Sequence, residues 1–140
     1  MKINELIKIG SVSKVSLPEY NIQSVPSRID TGAQTSAIWA SNIVERNGNL
    51  YFSLFDVSSP YFINKKIKVD KYLIKKIRST SGHVESRYVV KLKIQIKGNV
   101  MTASFTLANR QKQKYPILIG RNIIRRKFIV QIRKAKKDNS

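Results

Sequence analysis

Residues 90–97 read Val-Lys-Leu-Lys-Ile-Gln-Ile-Lys, a strict alternation of apolar and polar positions. A period of two predicts a half-buried strand with a lysine-bearing solvent face. The run stops at Gly98-Asn99, which has the chemistry of a hairpin turn, and residues 101–107 return as its partner with Ala103, Phe105 and Leu107 on one face. Residues 50–57 form another strand, entered through Asn47-Gly48-Asn49, where Asn and Gly tolerate positive φ. Shorter strands fit residues 67–69, 73–77 and 128–132, and Ile7, Ile9, Val15 and Leu17 fit strands on either side of Gly10. Ile117-Leu118-Ile119 is fully apolar and ends at Gly120. Helical patterning is scarce. Residues 121–127 predict one short helix after Gly120, and residues 36–41 predict a further helical turn. Many short strands separated by turn signals make an all-β sandwich or barrel.

Composition narrows this picture. A chain of 140 residues fits one domain, and 41% hydrophobic residues supply a real core. No repeat, low-complexity stretch or linker divides the chain, so residues 1–133 read as a single domain and 134–140 as a basic tail. The absence of Cys excludes disulfides, thiolate catalysis and Cys-ligated zinc, and suits a cytoplasmic protein. No apolar run approaches the ~20 residues that cross a bilayer, and the first ten residues lack a continuous apolar stretch of signal-peptide length. The expectation is a soluble, cytoplasmic protein with no membrane partner. The chain carries 27 Lys and Arg against eight Asp and Glu, a net charge of +19. Such a field attracts anions: nucleic acid, the ribosome, an anionic surface or an acidic polypeptide. Charge alone does not choose among them.

The candidate chemistry is sparse enough to audit. His83 is the one histidine. It shares a strand face with Glu85, two residues on, but no third ligand has metal-site spacing and no His-Glu-x-x-His occurs, so no metal is expected. Neither phosphate-cradling glycine motif is present, nor Gly-x-Ser-x-Gly, so no cofactor is expected. That leaves carboxylates. Asp56, Asp70 and Asp138 lie in polar or strand-edge surroundings. Asp30 lies in "RIDTGAQTSAIWA", where Ile29 reads as the end of a strand and Thr31-Gly32 force a tight turn before the small Ala33. The residues alone leave two readings open: an Asx turn closed by the Asp side chain, or a catalytic carboxylate.

The order of motifs adds to this. Asp-Thr-Gly-Ala early, a glycine hairpin in the middle and "YPILIGRNII" at residues 115–124 resemble the retroviral aspartic proteases. The stretches "RIDTGAQTSAIWA", "STSGHVESRYVV", "FTLANR" and "PILIGRNIIRRKFIV" resemble more closely the bacterial retropepsin-like endopeptidases that accompany ATP-grasp glutamate ligases, a family once labelled ATP-dependent zinc proteases. Neither half of that label has support in these residues.

The resemblance implies an acid-protease closed barrel with one short C-terminal helix, and a homodimer in which each chain gives one Asp. Asp30 would meet Asp30 of the second copy. Two carboxylates held about 3 Å apart share one proton, so one acts as general base on a water and the other as acid. Thr31 would lock the pair across the dimer, Gly32 would let backbone approach it, and Ala33 would line the floor. Gly120 and Arg121 would support the site, Arg121 by pairing with a carboxylate near the interface. Residues 78–87 align with the retropepsin flap, which implies that Ser79, Thr80, Ser81, Gly82, His83, Glu85 and Arg87 close over substrate. Arg110, in the family's Asn-Arg pattern, would read an acidic side chain, because guanidinium grips carboxylate bidentately. Relatives of this kind act on glutamate-rich substrates, including polyglutamate on a ribosomal protein. Two positions depart from the family: Gln34 stands where Arg is common, and Trp39 follows Ile38 where His is common. A reading from another class is a non-catalytic basic β-barrel that binds nucleic acid or ribosome; aromatic residues do not interleave with basic ones here as a base-stacking platform would require.

Overall fold

A computed structural model describes residues 5–78 and 81–132. Its strands are β1 (Ile7–Ile9), β2 (Val12–Leu17), β3 (Ile22–Ile29), β4 (Ser36–Arg46), β5 (Asn49–Leu54), β6 (Ile67–Val69), β7 (Leu73–Arg78), β8 (Val84–Ile96), β9 (Asn99–Ala108), β10 (Ile117–Ile119) and β11 (Phe128–Val130). The helix α1 spans Arg121–Lys127. Ser79, Thr80 and the expected basic tail at 134–140 lie outside the described residues.

Six strands close a barrel in the order β10-β3-β2-β8-β9-β4, with β4 pairing back onto β10. The expected all-β closed barrel with one short C-terminal helix is the architecture observed. The alternation that predicted β8 is the alternation that builds it. Val90, Leu92, Ile94 and Ile96 are buried, while Lys91, Lys93 and Gln95 face solvent. Its turn is centred one residue earlier than predicted. Ile96 pairs with Asn99, and Lys97 and Gly98 both take positive φ (51° and 77°). Asn47-Gly48 forms the same two-residue turn between β4 and β5, with φ of 52° and 77°. Positive φ at both central positions matches the right-handed twist of the flanking strands.

The helical turn expected at residues 36–41 is a strand instead. Ser36 to Trp39 pair in parallel with Phe105 to Ala108, and Ala37 and Ile38 pair antiparallel with β10. Pairing on both edges outweighs a short segment's local preference. Beyond Ser41, where the register shifts, β4 leaves the barrel and carries β5 and β6.

The core fills the barrel and the β4–β5 layer. Phe52, Phe55 and Phe105 are fully buried, and each contributes about 1.5–3 kcal/mol by leaving water. No buried side-chain polar atom among the described residues lacks a hydrogen bond. β8 is longer than the barrel. Val89 to Ile96 pair with β9, whereas Val84 to Val89 pair with β7. The β7–β8 hairpin is therefore an arm that leaves the barrel at Val89. Leu73, Ile74 and Val84 on it are exposed.

Candidate active site

Strands β3 and β10 run in parallel with Ile29 beside Ile119. Both end at the same edge, which puts Asp30 and Gly120 side by side. The Asp30 N–H donates to the Ile119 carbonyl at 2.9 Å. The chain then turns. The Ala33 N–H donates to the Asp30 carbonyl at 3.2 Å, and the Gly32 N–H to Asp30 Oδ1 at 2.9 Å. The Asx turn is thus real, and it fixes one carboxylate oxygen while the side chain stays only partly buried.

The turn is zipped to the start of α1. The N–H groups of Arg121 and Asn122 donate to the carbonyls of Ala33 (2.8 Å) and Gln34 (3.2 Å). These are orphan donors of a helix N-terminus, and the Asp30 loop supplies their acceptors. Ser36 Oγ accepts from the Gly120 N–H at 2.9 Å and donates to Asn122 Oδ1 at 2.7 Å, while Asn122 Nδ2 donates to the Ser104 carbonyl at 3.0 Å. Such a close approach requires glycine at 120. A Cβ there would stand 2.5 Å from the Thr35 carbonyl oxygen and 2.9 Å from that of Ala33.

Arg121 Nη1 donates to the carbonyls of Thr31 (3.2 Å) and Gly32 (3.5 Å). Thr31 and Gly32 are themselves exposed on the rim. Arg110 reaches the same end of the barrel. Its Nε donates to the Tyr115 carbonyl at 3.0 Å. Burial lowers its pKa, nearby Arg28 lowers it further, and Asp30 opposes them. Arg28 and Asp30 therefore both lie within electrostatic reach of Arg110.

Among the residues expected to form a flap, Ser81, Gly82, His83, Glu85 and Arg87 are described, and they lie on the arm or at its tip. Arg78 pairs with Val84 across its tip, and Ser81, Gly82 and His83 are exposed there. Glu85 and Arg87 pair with each other at 3.2 Å. Gly82 takes φ of 84° at the turn. Trp39 is buried at the wall of a cavity that also holds Arg110. Gln34 is exposed, and it is its backbone that contacts the helix. Among the described residues, no three His, Asp or Glu side chains converge where a metal ion could sit.

Sequence reasoning missed Ser36, Asn122 and Arg28. Asn122 sits in the quoted Gly-Arg-Asn, and a hydroxyl opening an apolar strand was a visible signal at Ser36. Arg28 precedes Asp30 by two, the spacing that shares a strand face.

The order of these elements, a carboxylate at the end of one strand locked to a Gly-Arg-Asn helix start, is decided by comparison. The model of the RimB-like family, retropepsin-like aspartic endopeptidase RimB, matches residues 8–137. The chain belongs to this family. A probable alpha-L-glutamate ligase of Shewanella pealeana is 32% identical over 134 residues, covering 93% of this chain and 29% of that protein. A probable alpha-L-glutamate ligase of Desulfotalea psychrophila is 32% identical over 128 residues, covering 87% and 27%. The chain thus spans less than a third of the length of these curated relatives. A crystal structure of a Legionella pneumophila protein of unknown function is similar, with a TM-score of 0.68 and 28% identity, covering 89% of this chain and 92% of that one.

Proposed function

We propose that this RimB-like chain is a homodimeric aspartic endopeptidase that hydrolyses peptide bonds in glutamate-rich polypeptides. The observation that carries this is Asp30. It is held by its backbone to Ile119 and by Oδ1 to Gly32, and it stays accessible in a chain that matches an aspartic endopeptidase family over 8–137. One chain provides one such carboxylate, and the exposed Thr31-Gly32 rim beside it is where a second copy would bring its own. One ionised Asp30 takes a proton from water. The protonated Asp30 of the other copy donates to the scissile carbonyl and later serves the leaving amine. The β7–β8 arm closes over the peptide and excludes water, its 78–87 segment contacting substrate. Arg110 receives an acidic side chain.

Two further facts support the substrate. The net charge of +19 draws acidic polypeptides. The relatives named glutamate ligases carry this domain within longer chains, which ties it to glutamate polymers, with a glutamate-modified ribosomal protein as one such substrate. No helix among the described residues is long and apolar enough to cross a membrane, and the proposed setting is the cytoplasm. The same charge favours a second reading, a basic barrel that binds nucleic acid. That binding would weaken steeply with salt and ignore Asp30.

The test is cleavage of a glutamate-rich peptide by wild type and by Asp30→Asn, with circular dichroism to confirm the fold. The expected loss is about 10³-fold or more, since positioned acid–base groups contribute about 10²–10⁴ each. A mutant that cuts as fast as wild type overturns the mechanism.

A further inference from the structure

On β3 the buried Val25, Ser27 and Ile29 face the core, so Pro26, Arg28 and then Asp30 follow one another on the opposite face. Arg28 sits beside Leu118 of β10, which is outside the core on the same side. Two residues along a strand span about 6.6 Å, so the Arg28 backbone is one short step from the carboxylate. Pro26 at the far end of that face is also a wall of a surface cavity of about 380 Å³, whose other walls include Trp39, Tyr61, Arg110, Tyr115 and Pro116. Arg28 therefore stands between this aromatic, proline-lined cavity and Asp30.

The electrostatics of this end are unbalanced. Burial and then the Arg28 guanidinium disfavour the charge on Arg110, and the Asp30 carboxylate favours it. The bond to the Tyr115 carbonyl uses one of the five N–H groups of Arg110. Arg28 is exposed. An anion placed between the two arginines relieves their repulsion and gains forked hydrogen bonds. A glutamate side chain fits in both parts, its carboxylate between the guanidinium groups and its methylenes against apolar walls.

We infer that Arg28 is a second specificity-determining residue, which together with Arg110 receives the side-chain carboxylate of the substrate residue flanking the scissile bond. This rests on the reading of Asp30 as the catalytic group, and the test separates the two. In an Asp30→Asn background, where peptide is not consumed, fluorescence anisotropy measures the affinities of labelled hexaglutamate and hexaglutamine peptides. Arg28→Gln should lower the glutamate-to-glutamine affinity ratio by about tenfold, the scale of one charged hydrogen bond. Arg28→Lys should recover part of that ratio. Lys93→Gln, which removes an exposed charge from the solvent face of β8, should leave the ratio unchanged.

The inference is overturned by an unchanged ratio in Arg28→Gln, by an equal fall in Lys93→Gln, or by a parent protein that does not prefer hexaglutamate. Cleavage by the protein with Asp30 intact is scored separately. Cleavage with no Arg28 effect removes the subsite alone. An Arg28 effect with no cleavage supports the carboxylate site and removes the protease reading.

Discussion

The turn after β3 receives hydrogen bonds from three directions: β10 holds the Asp30 N–H, α1 reads the carbonyls of Ala33 and Gln34, and Ser36 ties Gly120 to Asn122. Among the described residues, the arm of β7 and β8 pairs only with itself beyond Val89, and it carries exposed Leu73, Ile74 and Val84. One region fixes a carboxylate by backbone from several elements distant in sequence. The other is a two-stranded ribbon with little buried against it, the kind of segment that opens locally at low cost. The proposed hydrolysis would use both: a preorganised group that does not reorganise during reaction, and a cover that moves to admit a polymer.

Substitutions that strike the turn should cost stability, and substitutions in the arm should cost substrate handling. The largest effect is expected at Gly120→Ala. Its methyl group would collide with backbone carbonyl oxygens, so urea unfolding should show a loss of about 3 kcal/mol or more. A variant as stable as wild type would mean the turn yields easily, and the contrast with the arm would fail. Next is Asn122→Ala, which leaves the Ser36 hydroxyl without its acceptor and the Ser104 carbonyl without its donor. Thermal and urea melts should report about 1–3 kcal/mol.

The arm should respond in the opposite sense. Leu73 is 71% exposed, so Leu73→Ser should change stability by less than about 0.5 kcal/mol while raising KM for a peptide substrate. Arg87→Gln breaks the pair with Glu85 on a partly exposed surface. It should cost under about 1 kcal/mol, with its effect again on KM. A large stability loss in either arm variant would show that the ribbon is packed as tightly as the turn.

Much of the barrel was legible from period two, because strands with one wet face advertise it residue by residue, as Val90 to Lys97 do. The segment at 36–41 was not. Ser-Ala-Ile-Trp-Ala-Ser has no alternation, since both faces of β4 are largely buried there, with Ser36, Ile38, Trp39 and Ala40 all buried, and its pairing with β9 and β10 makes it a strand. At the site, Asp30, Gly120 and Arg121 were visible through their motifs. What the motifs could not tell is why they are needed. Gly120 is fixed by the Thr35 carbonyl, and Arg121 by the carbonyls of Thr31 and Gly32, contacts between segments about 90 residues apart. Ser36 and Asn122 meet across 86 residues, and no local pattern announces such a pair. Arg28 differs, because its spacing from Asp30 was there to be read.

The claim that one active site is made from two copies of Asp30 has a direct measurement. Wild-type chain is mixed with increasing Asp30→Asn chain at constant total concentration, allowed to exchange, and assayed on a glutamate-rich peptide. A shared site predicts that activity at equal proportions falls to about one quarter of the unmixed wild type, because only dimers with two intact copies cut. A fall to about one half would mean that each chain works alone, and would contradict the paired-carboxylate account.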